Sequence, residues 1–558
     1  MLALFLDRHG VKSVVFNTDE SARWHPKGST QNSRTMEHYR RLGLAATVRH
    51  LGLPQDFPTD VYYLTRLNGH ELARVYMPSE HEKVRLAAAA PQTAQNFEPI
   101  HRANQMYVEK ALLEHATTRP NITLRFGWQV GRFTEDAGGV SLEAHRVRPR
   151  ADGDPAKASG EYNDRDLVQT GESESWRAQY LVGCDGGPSH VRRTLGIRYL
   201  GHDGLQQAFV GGRMVSTYLR APTLHSGPLA KRPGWQYWVV NPKVRTAYVA
   251  LNGKDEFIFW TKLANETDRP DDAVIAAAIT ETVGEDVPFT MLAHRTWTAG
   301  VALWAERLWS GNRVFLAGDA IHLFTPTGGF GMNTGIDGVA NLSWKLAACL
   351  QGWGGPSLLG SYEAERKPIA ERNTQASRAL AKNVGAVTAP EGMEDDTPEG
   401  AAARRESGLY LATFGEEFAS IGVQLGVRYD GSPIIVPDGT PPADSFTDYV
   451  PSSVPGGRAP HFWFDPPGLP ARRSLYDRFG IGFTLLRIGA QAPEAGPLVA
   501  AATARGVPLE VVDVPDPLAR ELYGCDLALV RPDQHVAWRG ARLPQDCAAL
   551  LARVTGHP

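Results

Sequence analysis

The sequence predicts an α/β protein in three parts: a Rossmann-like three-layer domain, a β-rich domain interleaved with it, and a thioredoxin-like domain at the C-terminus. Three observations predict this. Two buried strands end in turns that carry an aspartate beside glycine, at Cys184-Asp185-Gly186 and at Ala317-Gly318-Asp319. An aromatic, strand-rich block spans 205–265. From Phe483 onward the pattern reads strand, helix, strand and then a hairpin. An Asp just past the carboxyl end of a parallel strand lies where open α/β sheets bind ligands.

Composition narrows the field. The chain has 558 residues, 42% apolar and 21% charged, which excludes a disordered chain. A net charge of −3 offers no basic excess for nucleic acid or an anionic membrane. No apolar run is long enough to span a bilayer. Gly 56 and Pro 39 imply many tight turns. Cys184, Cys349, Cys525 and Cys547 never fall at C-x-x-C spacing, so zinc and dithiol chemistry are not indicated. The expectation is reduced thiols in a cytoplasmic protein. Met1 to Leu6 has no basic flank and ends at Asp7-Arg8, so it is not read as a targeting segment.

The elements follow in order. Leu2 to Arg8 reads as a helix ended by His9-Gly10, and Val11 to Phe16 as a buried strand. That is the second half of a βαβ unit. Helices are expected over 35–50 and 104–116, and strands at Ile122–Phe126 and Val140–Ala144. Residues 147–176 are polar and read as a surface insertion, after which Tyr180-Leu181-Val182 resumes as a strand. Strands at Trp235–Val240, Ala247–Leu251 and Phe257–Trp260 precede a helix over 272–282. Val314 to Ala317 is another buried strand. The helix after it carries Ile336, Val339, Leu342, Leu346 and Leu350 on one apolar stripe. Residues 388–405 read as an exposed connector and 431–460 as an extended crossing segment.

Two motifs carry chemistry. Val314 to His322 is a strand feeding Gly318-Asp319, where a carboxylate can accept hydrogen bonds from a polyol. Downstream, Pro326-Thr327-Gly328-Gly329-Phe330-Gly331-Met332-Asn333 lets backbone N–H groups approach a ligand. This loop feeds a helix N-terminus, which stabilises negative charge. The second motif is Gly183 to Arg193, where Asp185 can orient a ribose or phosphate partner and Arg192 and Arg193 can attract phosphate.

Together the motifs resemble those of the group A flavoprotein aromatic hydroxylases, the family of para-hydroxybenzoate and phenol hydroxylases. Cys184 to Arg192 is similar to the family's DG motif, and Leu316 to His322 to its GD motif, whose Asp holds the FAD ribitol. Pro326 to Asn333 resembles the loop beside the isoalloxazine ring. Asn32 to Glu37 and Gln105 to Glu109 resemble segments whose Arg and Gln lie near FAD. Leu529 to Gly540 resembles the thioredoxin-like tail of phenol-hydroxylase members. The resemblance implies FAD contacts at Arg34, Gln105, Asp185, Gly186, Gly318, Asp319, Pro326, Gly328, Gly329, Gly331, Met332 and Asn333. It implies an FAD-binding domain at 1–60, 98–200 and 300–390. A substrate-binding sheet domain falls at 61–97 and 201–299, a connector at 391–460 and the thioredoxin-like domain at 461–558.

The implied reaction consumes NADPH or NADH and O₂ and transfers oxygen from a flavin hydroperoxide to a phenolic or polycyclic aromatic ring. A homodimer is common in the family. Pro326 is expected to shape the oxygen pocket. A phenol, with a pKa of about 10, reacts better as phenolate, so the pocket needs an acceptor. Tyr237 is the candidate for the substrate hydroxyl, beside the alternative that it is a core aromatic. His25 and Tyr107 are further candidates, and His322 is expected to pack beside the cofactor. Two other functions remain open: flavin-dependent oxidation or epoxidation of a polyketide, and a non-catalytic remnant that binds a partner.

Two departures qualify the resemblance. Asn17 stands where the family has an acid for the AMP ribose. The opening strand and Gly-x-Gly-x-x-Gly turn are absent, a deficit of roughly twenty residues. Their absence would leave a gap in the parallel sheet and expose its neighbours' edges. The prediction is that the 558-residue chain binds FAD poorly or folds badly, and that an upstream in-frame extension encodes the turn. Visible spectra of both versions test it. Flavin bands only in the extended chain are expected, and equal bands in both would overturn it.

Overall fold

A computed structural model describes residues 1–150, 167–205, 211–265, 268–418, 420–464 and 472–558. Among the described residues, the parallel strands of the Rossmann-like part come in two separate pairs. Ser13–Asn17 pairs with Ile122–Phe126, and Leu181–Gly183 pairs with Val314–Leu316. Among the described residues no strand joins the pairs. Every residue of Ser13–Asn17 is only half-buried, although Val14, Val15 and Phe16 are apolar. Val15 and Val182, one from each pair, line a single cavity. The two pairs thus face each other across a gap that forms part of this cavity.

The β-rich part is a seven-stranded sheet. Its order is Thr290–Thr298, Arg213–Arg220, Glu256–Lys262, Arg245–Ala250, Gln236–Val240, Val61–Leu64 and Glu71–Val75. Only the Gln236–Val240/Val61–Leu64 pair is parallel. Aromatic pairs knit it across the strands: Tyr62 stacks on Tyr237 at 5.7 Å and Tyr63 on Trp238 at 6.4 Å. The C-terminal sheet has the order Leu509–Val514, Phe483–Ile488, Leu527–Val530 and Val536–Gly540, parallel in its first pair and antiparallel after. That is the expected βαβ-then-hairpin arrangement. Among the described residues no helix is long and apolar enough to cross a membrane.

Three expectations are corrected. The helix over 35–50 is two helices, Ser33–Arg41 and Ala45–Arg49, because Gly43 takes a left-handed φ of 73° and breaks it. Part of the polar stretch 147–176 is sheet: Leu167–Ala178 pairs antiparallel with Gly139–Pro149, and polar residues suit its exposed face. Residues 151–166 of that stretch lie outside the described residues. The connector at 388–405 gives way to a helix, Pro398–Ala412, started by the Thr397 side chain and by Pro at the first position.

The helix Phe330–Leu350 organises the rest. Its apolar stripe includes Leu342 and Leu346, packed under the Val314–Leu316 strand. Asp337, Asn341 and Lys345 share a second face at four-residue spacing. These polar side chains are buried as well. Asp337 accepts from Arg366 (2.5 Å), His38 (2.9 Å) and Arg34 (3.3 Å). Burial, chiefly, and the Arg34 cation push His38 down to about 4, so its neutral Nε2–H is the donor. Asn341 donates to Glu365 (2.7 Å) and Asp533 (3.0 Å), and Lys345 to Glu365 (2.6 Å). From the C-terminal hairpin, Arg531 donates to both Glu365 oxygens at 2.6 and 2.9 Å. Gln534, at the hairpin tip, holds a left-handed φ of 68° and accepts from Arg34 at 2.7 Å.

Despite its burial, Glu365 is held down to about 2 by Arg531 and Lys345. Its contribution to stability is therefore complete above the unfolded value of 4.5 and is lost as pH falls toward about 2. Glu365→Ala leaves the buried Lys345 without its carboxylate and Arg531 with Asp533 alone. The expected cost is about 3–5 kcal/mol at neutral pH, read by urea unfolding, and less at pH 3.

Candidate active site

One cavity of about 2380 Å³ joins the split parallel sheet, the start of the helix Phe330–Leu350 and one face of the seven-stranded sheet. Ordinary small-molecule pockets span roughly 300–1,000 Å³, so this volume accommodates a dinucleotide and a second molecule.

The glycine loop is built from opposed demands. Gly328 and Gly329 both take left-handed φ, 74° and 66°, turning the chain from Pro326 into the helix. A Cβ on Gly329 would come within 2.8 Å of Thr30 Cβ, so the site needs glycine for space as well as for φ. Side chains pin the turn from outside. Asn333 Nδ2 donates to Gly329 O (2.6 Å) and Thr30 O (2.9 Å), while its Oδ1 accepts from Asn32 N–H at 3.0 Å. Thr327 donates to Ser377 O at 2.7 Å. Gly328 N–H points to Glu417 Oε1 at 3.3 Å.

The two aspartate turns are tied together. Asp185 accepts from Ser189 Oγ–H (2.6 Å) and Val191 N–H (3.0 Å), folding its loop onto the short helix His190–Thr194. Arg192 donates to Ile197 O and Gly187 O, and its guanidinium lies 3.8 Å from the Tyr199 ring centre. Tyr199 Oη then donates to Asp319 O at 2.6 Å. Arg192 is thus committed to the protein, while Arg193 lines the cavity.

The structure brings Gln105, Asp185, Gly186, Gly318, Asp319, Pro326, Gly328, Gly329, Gly331 and Met332 to the cavity wall. Asn17 is there too, accepting from Asp19 N–H at 3.0 Å. Three expected site residues are elsewhere. Arg34 is consumed by Glu37, Asp337 and Gln534 in the buried ion lattice. Asn333 shapes the loop from behind. Tyr237 is fully buried, donates to Arg232 O and Gly234 O at 3.0 Å each, and stacks on Tyr62, so it is a core aromatic. Tyr107 donates to Glu256 at 2.9 Å, away from the cavity wall. His25 is buried beside Pro26 O, and burial holds His322 down to about 3, so His322 is a neutral packed ring.

Several wall residues were not singled out by the sequence. Lys27 precedes Gly28 on the wall. Arg102 lies 3.9 Å from the Trp235 ring centre, and Phe418 meets Trp235 edge-on at 6.2 Å. Glu417, from the turn Thr413–Glu417, is 7% exposed, and burial pushes it up to about 7. A Glu-Glu pair in a polar connector reads as solvated surface, so no pattern in the sequence marks it. The glycine cradle and the carboxylate at Asp319 fit the ribityl and ring portions of FAD. For the pyrophosphate no glycine-rich turn stands among the described residues.

Comparison with known proteins places this architecture. An FAD binding domain model matches residues 1–377, and an aromatic-ring hydroxylase C-terminal model matches 452–558. The chain is 31% identical to the FAD-dependent monooxygenase apdD of Emericella nidulans, over 99% of this chain and 88% of that protein. It is 29% identical to the 2,4-dichlorophenol 6-monooxygenase of Delftia acidovorans, over 99% of this chain and 95% of that one. The rebeccamycin biosynthetic enzyme RebC, solved with reduced flavin, superposes with a TM-score of 0.84 at 31% identity, covering 100% of this chain and 96% of that one. By its matched domains, its relatives and its fold, this chain belongs to the group A FAD-dependent aromatic-ring hydroxylases.

Proposed function

We propose that this chain hydroxylates a phenolic or polycyclic aromatic substrate, with NADPH or NADH as reductant and O₂ as the oxygen source. The observation that carries the reading is the single cavity. It joins a glycine-lined helix N-terminus to an aromatic wall in one continuous space.

FAD, when bound, supplies the electron transfer from the nicotinamide and the activation of oxygen. The protein's part is to bind, orient and exclude water. The Asp319 carboxylate would accept hydrogen bonds from ribityl hydroxyls, and Gly318 gives it the left-handed turn beside the cavity. The N–H groups of Gly331 and Met332, at the positive end of the helix Phe330–Leu350, would stabilise negative charge on the flavin. Gln105 and Gly186 would complete the flavin side. Asp185 acts indirectly, since its carboxylate holds the Gly186 loop in shape. Pro326 has no N–H to donate and bounds the cavity beside the glycine loop. Trp235, Trp260 and Phe418 offer an apolar bed for a planar substrate and keep that space dry.

Asp319→Ala is expected to weaken FAD binding about 10- to 100-fold, the loss of charge-assisted hydrogen bonds, measured by flavin fluorescence titration. The reaction itself is tested with labelled O₂ across a panel of phenols and polycyclic hydroxyarenes. One labelled oxygen atom per product and one NAD(P)H oxidised per turnover are expected. A product without label, or NAD(P)H oxidation that no aromatic compound stimulates, would overturn the reading.

A further inference from the structure

Among the described residues, Glu417 is a carboxylate of this wall that the fold leaves half-satisfied. Its Oε1 accepts the Gly328 N–H at 3.3 Å, which ties it to the glycine loop. Its Oε2 is buried and has no hydrogen-bond partner among the described residues. A buried acceptor without a partner is unfavourable, so a fold that keeps one at a cavity wall gains from it elsewhere. The neighbouring cation does not close the gap. Arg102 is directed to Thr30 Oγ1 and over the Trp235 ring, and its own Nε is unpartnered. The Tyr63 hydroxyl is likewise buried and unpartnered. Beside Glu417, Phe418 and Trp235 meet edge-on at 6.2 Å and form an aromatic corner of the cavity.

We propose that Glu417 is the proton acceptor for an acidic hydroxyl of the aromatic substrate, which binds against Trp235 and Phe418 with its O–H on Glu417 Oε2. The inference rests on the hydroxylation reading and assigns it a catalytic residue. The substrate O–H bond breaks as the Oε2–H bond forms, so the oxyanion is left on the substrate and the carboxylate becomes a neutral acid. No electrons are gained or lost. The ring carbon that receives oxygen later releases its hydrogen as a proton, and Glu417 returns its own proton to the original substrate oxygen. Oε1 stays on Gly328 throughout, which fixes the acceptor relative to the loop that bounds the flavin side.

The charged and titratable groups that act on Glu417 fit this role. Burial raises its pKa to about 7, and Arg102 opposes that rise. Glu417 and burial together push Tyr63 up, so Tyr63 remains a neutral donor. The acceptor form of Glu417 therefore prevails above about pH 7, where a general base is most effective.

Glu417→Gln tests the assignment because the amide oxygen still accepts from Gly328 while the base is removed. The probe is 4-nitrophenol, whose phenolate has its own visible band and whose ionisation needs no turnover. Bound to the wild-type protein at pH 7, it is expected to show a larger phenolate fraction than when bound to the Gln variant. With a hydroxylated phenol, kcat/KM of the wild type is expected to rise through about pH 7. The variant is expected to lose that limb and about 10²- to 10³-fold in rate, with flavin content unchanged. Thermal unfolding gives a third readout. The folded acid binds its proton more tightly than the unfolded one, so wild type loses stability from about 4.5 to about 7. The variant cannot ionise, and its Tm advantage should grow across that window.

Equal phenolate fractions in the two proteins, a retained pH limb, a constant Tm difference, or a wild type that does not bind the probe would each overturn the proposal. Loss of labelled oxygen in the wild-type product strikes the hydroxylation reading instead. Intact hydroxylation with an unaltered Gln variant strikes Glu417 alone.

Discussion

The fold depends on a buried lattice of opposite charges threaded along one helix. Asp337, Asn341 and Lys345 present successive polar groups from Phe330–Leu350, and Arg34, Arg366, Glu365, Arg531 and Asp533 answer them from three other segments. None of these groups retains appreciable contact with water. Taking so many charges out of water is unfavourable unless nearly every donor meets an acceptor. Geometry is therefore tightly specified. The lattice fixes the rotation of the helix, the position of the hairpin at Arg531–His535 and, through Arg34 and Asn32, the entry of the helix Ser33–Arg41.

That fixed rotation is what makes the site usable. The turn that leads into the same helix carries the glycine pair, and Asn333 couples this turn to Thr30 and Asn32. On the opposite side, the Tyr199 hydroxyl and the Arg192 guanidinium bind the two aspartate turns into one unit. The cavity thus has a rigid wall of backbone donors facing a sheet of interlocked aromatic rings. Binding energy need not be spent on ordering either wall.

Much of this was legible in the sequence because it is local. A buried strand ending in Gly-Asp, a double glycine before a helix and a stripe at three- and four-residue spacing are decided by near neighbours. The second, polar stripe was not legible. Asp337, Asn341 and Lys345 look like a solvated face, and their partners at Arg531 and Asp533 are remote in sequence. For the same reason Arg34 reads as a cofactor residue until Asp337 and Gln534 are seen to claim it. Tyr237 illustrates a different limit. Alternation along a strand assigns a face, yet both faces of this strand are buried, so facing the core and facing the cavity look alike. Glu417 carried no signal at all, since its surroundings, the Gly328 loop and Arg102, come from remote parts of the sequence.

The polar character of the stripe has a consequence for the order in which the chain is made. The helix Phe330–Leu350 leaves the ribosome long before the hairpin at Arg531–His535 exists to cover it. An apolar stripe would wait as a sticky surface, open to mispairing with other nascent chains. Asn341 and Lys345 wait instead in water, where an amide and an ammonium group are well solvated. Desolvation comes only when the matching hairpin docks. The late-arriving segment is thus selected by complementarity of charge.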